Sequence, residues 1–193
     1  SPIPNPQSPC FLLLLIIIRY LFSIIIIFIN KKMKIYSFIF VYLFFISIQC
    51  KFQISSPDFT NGSKLDKRFT PFGEDVNPIL KWDNPPKDTK SFALICEDPD
   101  CPSGLFTHWA VKNIPKDVTQ IGNGEKIGEE VRNSWGIKRY KGPRPPSGTH
   151  RYYFKLYALG IESLNAKNIK ELRKQIIRNK IGETVIMGKY QRE

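Results

Sequence analysis

Both histidines of this chain lie in short segments that are rich in turn-forming residues. His108 comes shortly after the run Asp98-Pro99-Asp100, and His150 follows the run Gly142-Pro143-Arg144-Pro145-Pro146. Pro and Gly fix the backbone while a few side chains form hydrogen bonds, which is typical of pockets for small polar ligands. An imidazole donates to phosphate or carboxylate and protonates more readily beside an anion. The two segments therefore predict a site for a small anionic ligand.

The Asp98 carboxylate has two candidate roles in such a site. It orients one of the histidines, or it meets the cationic end of a zwitterion such as phosphoethanolamine. Tyr152 adds a hydroxyl donor two residues after His150. The Cys and His residues do not have the spacing of a zinc site. We therefore expect neither a metal nor another cofactor.

Hydrolysis is the competing chemistry for the same residues. His108 or His150 would act as the general base, Asp98 would orient it, and Ser147 or Thr149 would be the nucleophile. The sequence contains no Gly-x-Ser-x-Gly nucleophile elbow. We therefore expect a binding protein and not an enzyme.

A third hypothesis is an inhibitor that docks on a kinase or a protease through the Pro-rich loop 143–146. The sequence contains no motif that names such a partner, so the hypothesis stays open. Some neighbouring residues have simpler structural explanations. We interpret Arg151 as an ion-pair partner and Trp135 as a packing residue.

The positive charge of the chain is spread along its length. The net charge is +12, and residues 51–193 hold 25 of the 29 Lys and Arg and all 17 Asp and Glu, which leaves +8 for that segment. The basic residues form no long run and no known nucleic-acid module. We therefore expect affinity for phosphate ligands, acidic partners or anionic lipid surfaces, and no binding of nucleic acid.

The first fifty residues contain two apolar stretches and no acid. The stretch 35–48 follows three lysines, as in a secretory signal, so we interpret 33–50 as a signal peptide or membrane anchor and 51–193 as the folded domain. Met33 is the first methionine, and we interpret 1–32 as upstream sequence foreign to the natural protein. The alternative is a membrane helix over 11–29. A natural leader predicts a secreted or membrane-anchored protein, and a foreign one predicts a cytoplasmic protein.

The folded domain reads as mostly β. Segments with the length and composition of strands are 79–82, 91–97, 107–114, 152–159 and 184–190. The apolar run 91–97 predicts a central strand, and the aromatic run 152–159 predicts a strand that is covered on both faces. Two-residue alternation places His108 on the same face as Ala110 and Lys112. Apolar residues at helical spacing, including Ile176 and Ile177, predict a helix over 168–179.

The two histidine segments resemble the phosphatidylethanolamine-binding proteins, specifically their bacterial and archaeal Raf-kinase-inhibitor-like subgroup. The first matching block is Asp98-Pro99-Asp100-x-Pro102, followed by His108-Trp109. The second block is Gly142-Pro143-x-Pro145-Pro146-x-Gly148-Thr149-His150-Arg151-Tyr152. The run Asn133-Ser134-Trp135-Gly136 is similar to this subgroup as well, and the resemblance extends over about residues 52–192.

The resemblance implies a large antiparallel sheet packed on a smaller sheet, with one or two helices toward the C-terminus. It also implies a pocket at one end of the large sheet that binds an anion or a phosphorylated head group of the phosphatidylethanolamine type. The residues that match the family pocket are Asp98, His108, Pro143, His150 and Tyr152, with Asp100 supporting the turn at the rim. The chain departs from the family at Cys101, where a small Ala is common. Lys141 and Arg144 add positive charge beside the pocket loop.

Overall fold

The computed structural model describes residues 15–23 and 51–192, and the chain divides into two units, Ser1–Cys50 and Lys51–Glu193. In the first unit residues 15–23 are helical. The rest of the predicted upstream segment 1–32 and the whole predicted signal or anchor 33–50 lie outside the described residues. Among the helices that the structure describes, none has the length and apolar character needed to cross a membrane.

The second unit consists of two antiparallel sheets. The strands are β1 (Gln53–Ser55), β2 (Leu80–Asp83), β3 (Ser91–Asp98), β4 (Phe106–Pro115), β5 (Gln120–Ile121), β6 (Glu129–Glu130), β7 (Thr149–Leu159) and β8 (Lys180–Gln191). The large sheet has five strands in the order β6-β4-β3-β7-β8, and the small sheet has three in the order β1-β2-β5. A 3-10 helix covers Lys67–Phe69, and an α-helix covers Ile169–Asn179. The predicted mainly β fold with a helix toward the C-terminus is confirmed.

The main hydrophobic core lies between the two sheets. Ile54, Leu80 and Trp82 of the small sheet share one buried cluster with Phe92 and Phe154 of the large sheet. A second cluster lies on the other face of the large sheet, where Leu172 and Ile176 of the helix pack against Ala93 and Ile95. Because β3 contributes to both clusters, all eight of its residues are buried. The predicted central strand is confirmed.

Strand β7 differs from the prediction that both of its faces are covered. Tyr152, Phe154 and Leu156 are buried in the main core, but Tyr153 and Lys155 on the other face remain partly exposed. On that face the cluster beneath the helix reaches the C-terminal part of β7, at Leu159 and at the partly buried Tyr157. The aromatic composition of the run therefore misled the prediction, because Tyr tolerates a half-exposed position.

The C-terminal helix begins where the sequence predicts. The side chain of its N-cap residue Asn168 accepts a hydrogen bond from the Glu171 backbone N–H at 2.9 Å. Leu172 and Ile176 form the buried face. Ile177, which the spacing placed with them, is 70% exposed because it lies beyond the edge of that face.

Candidate functional site

A β-bulge in β4 sets the direction of the His108 side chain. Cys96 pairs with Trp109 and Glu97 pairs with Thr107, so His108 is the extra residue between two paired positions. A bulge of this kind turns a side chain that strict alternation would place on the other face. His108 therefore joins Trp109 on the side of the main core, where its ring contacts Tyr152. The predicted grouping of His108 with Ala110 and Lys112 is wrong for this reason.

The imidazole of His108 is fixed by one hydrogen bond and three aromatic neighbours. Its Nδ1–H donates to the Lys141 carbonyl at 2.7 Å. The rings of Phe106, Trp135 and Tyr152 stand edge-on to it, with centroid distances of 5.5, 4.8 and 5.0 Å. Burial lowers the pKa of His108, although the hydrogen bond to Lys141 opposes that shift. The structure therefore favours a neutral ring with a proton on Nδ1.

His150 forms a buried pair with Asp98. The antiparallel pairing of β3 and β7 brings the end of β3 beside the start of β7, where His150 Nδ1 lies 2.7 Å from Asp98 Oδ2. Both side chains are buried. The other oxygen of Asp98 accepts the Asp100 backbone N–H at 2.8 Å, which closes the Asp-Pro-Asp turn. The Asp98 carboxylate thus orients the His150 imidazole and also stabilises its own Asp-Pro-Asp turn.

The hydroxyl of Tyr152 is the unsatisfied group of this region. It is buried and has no hydrogen-bond partner within residues 15–23 and 51–192. Burial, and then the charge of Asp98, raises the pKa of the Tyr152 phenol well above its ordinary value, so the group stays a neutral donor. Buried polar groups in folded proteins are nearly always hydrogen-bonded. A ligand oxygen is a suitable acceptor for this hydroxyl.

Asp100 and Arg151 form an ion pair on the outer side of the same turn. Arg151 donates from Nη2 to Asp100 Oδ1 at 2.6 Å, and from Nε and the backbone N–H to Oδ2 at 2.9 Å each. The hydrogen bonds from Arg151 lower the pKa of the Asp100 carboxyl to about 2. The structural interpretation of Arg151 is confirmed, and the carboxylate of Asp100, a predicted site residue, is occupied by that arginine.

The loop that carries Pro143 is held close to His108 by backbone contacts. A Cβ atom on Gly142 would lie 1.9 Å from the Phe69 carbonyl oxygen, so only glycine fits there. The Gly142 N–H donates to Asp75 Oδ1 at 2.8 Å. Pro143 follows and is buried. Lys141 Nζ lies 3.5 Å from Asp75, so the positive charge expected from Lys141 is partly neutralised.

Trp135 and Phe106 line the site, although the sequence motifs predict neither as a site residue and Trp135 is interpreted from them as a packing residue. The Asn133 side chain donates to the His108 carbonyl at 3.1 Å and accepts from the Trp135 N–H at 3.0 Å, which fixes the turn beside β4. Trp135 is 37% exposed, and the centroid of its ring lies 4.6 Å from the centroid of the Phe106 ring. The signal was present in the run Asn133-Ser134-Trp135-Gly136, because a tryptophan in a polar turn is seldom a core residue.

These side chains form one cluster at one end of the large sheet. Asp98, His108, His150 and Tyr152 come from the adjoining ends of β3, β4 and β7 and lie on the face toward the small sheet. In both histidines the Nδ1 atom forms a hydrogen bond within the protein, with the Lys141 carbonyl in His108 and with the Asp98 carboxylate in His150. Within the described residues, no three His, Cys, Asp or Glu side chains converge as they would at a metal ion.

Comparisons with known proteins identify the family of this fold and site. The family model for phosphatidylethanolamine-binding protein matches residues 55–191. A UPF0098 protein of Methanothermobacter thermautotrophicus is 37% identical over 145 residues, which are 69% of this chain and 95% of that relative. UPF0098 protein YbhB of Escherichia coli is 38% identical over 128 residues, which are 58% of this chain and 81% of that relative. The chain therefore belongs to the phosphatidylethanolamine-binding protein family.

Solved structures agree with that assignment. The crystal structure of CT736, a phosphatidylethanolamine-binding protein homologue from Chlamydia trachomatis, has a TM-score of 0.70 and 30% identity and covers 74% of this chain and 99% of its own. The crystal structure of Escherichia coli YbcL, a member of the mammalian phosphatidylethanolamine-binding protein family, has a TM-score of 0.70 and 29% identity. The match covers 75% of this chain and 100% of the YbcL chain. The family resemblance of the two histidine segments is confirmed.

Proposed function

We propose that this protein binds a small anionic or phosphorylated ligand of the phosphoethanolamine type without chemical turnover. The observation that carries the proposal is the buried Asp98–His150 pair next to the unsatisfied hydroxyl of Tyr152. The ligand phosphate accepts a hydrogen bond from the Tyr152 hydroxyl and lies against the Nε2 edge of the His150 ring. Asp98 holds that ring in place through its hydrogen bond with Nδ1.

The ammonium end of such a ligand is assigned to the aromatic wall. Phe106 and Trp135 present ring surfaces next to His108, and Trp135 is partly exposed. A cation over an aromatic face is attracted by the ring quadrupole. Both oxygens of Asp98 already accept hydrogen bonds from His150 and Asp100. Of the two roles expected for Asp98, orienting the histidine is therefore the one we assign to it.

The hydroxyl groups of the histidine loop support binding over hydrolysis. The Thr149 hydroxyl donates to the Gln191 side-chain carbonyl at 2.8 Å, so it is turned toward β8 and is not paired with an imidazole. Ser147 is exposed in the loop before β7. A nucleophilic hydroxyl needs a base within hydrogen-bond reach. We therefore assign neither residue a catalytic role.

Calorimetric titration of the full chain with phosphoethanolamine, and separately with inorganic phosphate, tests this proposal. We expect His150→Ala to weaken phosphoethanolamine binding about ten- to hundredfold, because a charge-assisted hydrogen bond is lost. Asp98→Asn should weaken it as well, since an amide is a weaker acceptor than a carboxylate for the hydrogen bond that orients His150. Phosphoethanolamine should bind more tightly than inorganic phosphate if the aromatic wall receives the ammonium.

Glu97→Gln is the matched control for Asp98→Asn. It removes the adjacent buried carboxylate on the opposite face of β3, so it should leave the affinity unchanged. A circular dichroism melt of each variant establishes that it is folded at the titration temperature. Unchanged affinity in folded His150→Ala would refute the assignment of the site.

A further inference from the structure

The loop that holds the His108 ring belongs to neither sheet. Residues 131–148 form no helix and no strand. Within this stretch the Lys141 carbonyl accepts the His108 Nδ1–H at 2.7 Å, and the Lys141 N–H donates to the His108 carbonyl at 3.2 Å. Pro143, a predicted site residue, lies two residues further on. Contacts outside regular secondary structure must therefore keep this loop in place.

The carboxylate of Asp75 makes three contacts with that loop. Asp75 Oδ1 accepts the Gly142 N–H at 2.8 Å. Asp75 Oδ2 lies 3.3 Å from Arg139 Nη1 and 3.5 Å from Lys141 Nζ. The contacts fall at Lys141 and on both sides of it, and they use both carboxylate oxygens. Because Asp75 and Gly142 are 67 positions apart in sequence, their hydrogen bond is a tertiary constraint on the loop.

Asp75 is itself fixed by the turn that follows the 3-10 helix. Its N–H donates to the Arg68 carbonyl at 3.1 Å and to the Thr70 carbonyl at 3.2 Å. Its φ is 56°, in the left-handed region that Asp and Asn adopt more readily than most other residues with a side chain. An uncommon backbone conformation persists where the surrounding contacts determine it. The carboxylate therefore reaches the loop from a backbone that hydrogen bonds hold in place.

Gly142 is the point of the loop that most needs such a contact. Only glycine fits beside the Phe69 carbonyl, which also accepts the Tyr140 hydroxyl at 2.9 Å. A glycine has little intrinsic preference for one backbone conformation. The close packing on Phe69 therefore requires a residue that does not fix its own direction. The hydrogen bond from the Gly142 N–H to Asp75 supplies that direction.

We propose that Asp75 is a positioning residue of the ligand site. It holds the Gly142 N–H, and thereby the Lys141 carbonyl, where that carbonyl accepts the His108 Nδ1–H. Because a carbonyl only accepts, this arrangement keeps the proton of the neutral ring on Nδ1 and leaves Nε2 without one. The consequence for ligand affinity rests on the proposed function, whereas the consequence for the His108 ring does not.

Two substitutions at Asp75 separate its hydrogen bond from its charge. Asp75→Gly removes the acceptor and adopts a positive φ without strain, whereas Asp75→Asn keeps an oxygen for the Gly142 N–H. In calorimetric titration of the full chain with phosphoethanolamine, we expect Asp75→Gly to bind about tenfold more weakly and Asp75→Asn to stay within about twofold of the wild type. Unchanged affinity in folded Asp75→Gly, or a tenfold loss in folded Asp75→Asn, would overturn the proposal.

Asp58→Gly is the matched control, because Asp58 makes the same kinds of contact away from the loop. Asp58 Oδ2 accepts the Ile79 N–H at 2.7 Å, and Oδ1 lies 3.3 Å from Arg68 Nη2. Its side chain is 16% exposed, and that of Asp75 is 17% exposed. Arg68 meets Asp58 with its guanidinium but holds Asp75 with its carbonyl.

The control distinguishes positioning from general stability. We expect Asp58→Gly to lower the melting temperature, measured by circular dichroism, about as much as Asp75→Gly does, because each loses a carboxylate that accepts a backbone N–H. Asp58→Gly should nevertheless keep its affinity for phosphoethanolamine. An equal loss of affinity in both folded variants would show a general loosening of the fold and overturn the proposal.

The ring nitrogens of His108 provide a readout that a loss of stability alone does not change. The sequence contains two histidines, so nitrogen-15 NMR of the full chain labelled at histidine shows two rings, and His108→Gln identifies them. At pH 8, above the lowered pKa of His108, we expect the wild type, Asp75→Asn and Asp58→Gly to carry the proton on Nδ1. Asp75→Gly should show a mixture of the two tautomers. Signals identical to those of the wild type in folded Asp75→Gly would overturn the proposal.

The NMR spectra also separate this proposal from the proposed function. They require no ligand, so failure of the wild type to bind phosphoethanolamine would refute the proposed function and leave the tautomer of His108 to decide the role of Asp75. If the wild type binds phosphoethanolamine and His108 keeps its tautomer in folded Asp75→Gly, the proposed function stands and the positioning role is wrong.

Discussion

Glu97 and Asp98 are consecutive carboxylates at the end of β3, and they point to opposite faces of the large sheet. Glu97 is 2% exposed and forms ion pairs with Lys155 and with Arg173, whose Nη1 lies 2.6 Å away. Asp98 is 3% exposed and meets His150 and the Asp100 N–H. The fold thus pairs one buried carboxylate with two basic side chains and the other with an imidazole ring and a backbone N–H.

Glu97→Gln should produce the largest loss of stability among the variants of this comparison. It leaves Lys155 and Arg173 without their shared anion, but those side chains are 37% and 27% exposed and regain water. We therefore expect the free energy of unfolding to fall by about 2 kcal/mol, below the usual cost of breaking a fully buried pair. Urea denaturation at pH 7 measures the change.

The comparison fails if Glu97→Gln also loses affinity for phosphoethanolamine to the extent expected of Asp98→Asn. The two faces of β3 would then act as one unit, and the distinction between a structural carboxylate and one that orients a ligand-binding histidine would be wrong. Arg173→Leu is a second probe of the same face, since Arg173 also donates to the Thr107 hydroxyl at 3.1 Å.

Acid should destabilise the protein through His108, which is the next largest effect we expect. Burial lowers the pKa of His108 in the folded chain, so the unfolded chain binds a proton there first, near pH 6.5. The stability contributed by the neutral ring is present above that pH and is lost as the pH falls toward the lower folded pKa. His108→Gln should show a flatter dependence than the wild type in urea denaturation between pH 8 and pH 5.

A bound anion should oppose this loss. Inorganic phosphate carries no ammonium, and when it is bound at Tyr152 it lies near the His108 ring and favours the protonated form of that ring, so phosphate binding should be accompanied by proton uptake. Calorimetry in two buffers with different ionisation enthalpies detects that uptake. Equal pH dependence in wild type and His108→Gln would mean that other groups carry the acid sensitivity.

The long elements and the family could be predicted from the sequence, because they depend on local patterns. The run 91–97 and the helix near Leu172 have the composition and spacing of the elements that form there. The bulge at His108 could not be predicted in this way, since it arises from the register between β3 and β4. Strands such as β5 (Gln120–Ile121) are too short to show periodicity and exist through pairing with β2.

The site shows the same division. The motifs identify Asp98, His108, His150 and Tyr152, but not the contacts that decide their chemistry. Trp135 reaches His108 because the Asn133 side chain holds its turn against the backbone of β4. The hydrogen bond from the Asn133 side chain to the His108 carbonyl joins residues that are 25 positions apart in sequence. A pattern read along the chain contains no information on such a long-range hydrogen bond.

Asp100→Asn should have the smallest effect, and it compares the two carboxylates of the Asp-Pro-Asp turn. Asp100 and Arg151 are 25% and 48% exposed, so their pair contributes little despite its geometry. The pKa of about 2 means that this contribution is present above the unfolded pKa near 3.9 and is lost as the pH falls toward 2. Urea denaturation at pH 7 and at pH 3 should therefore show a small difference from the wild type that shrinks in acid. Because Arg151 occupies the carboxylate, we expect phosphoethanolamine affinity to stay unchanged, and a tenfold loss would instead show that Asp100 contributes to binding as much as Asp98 does.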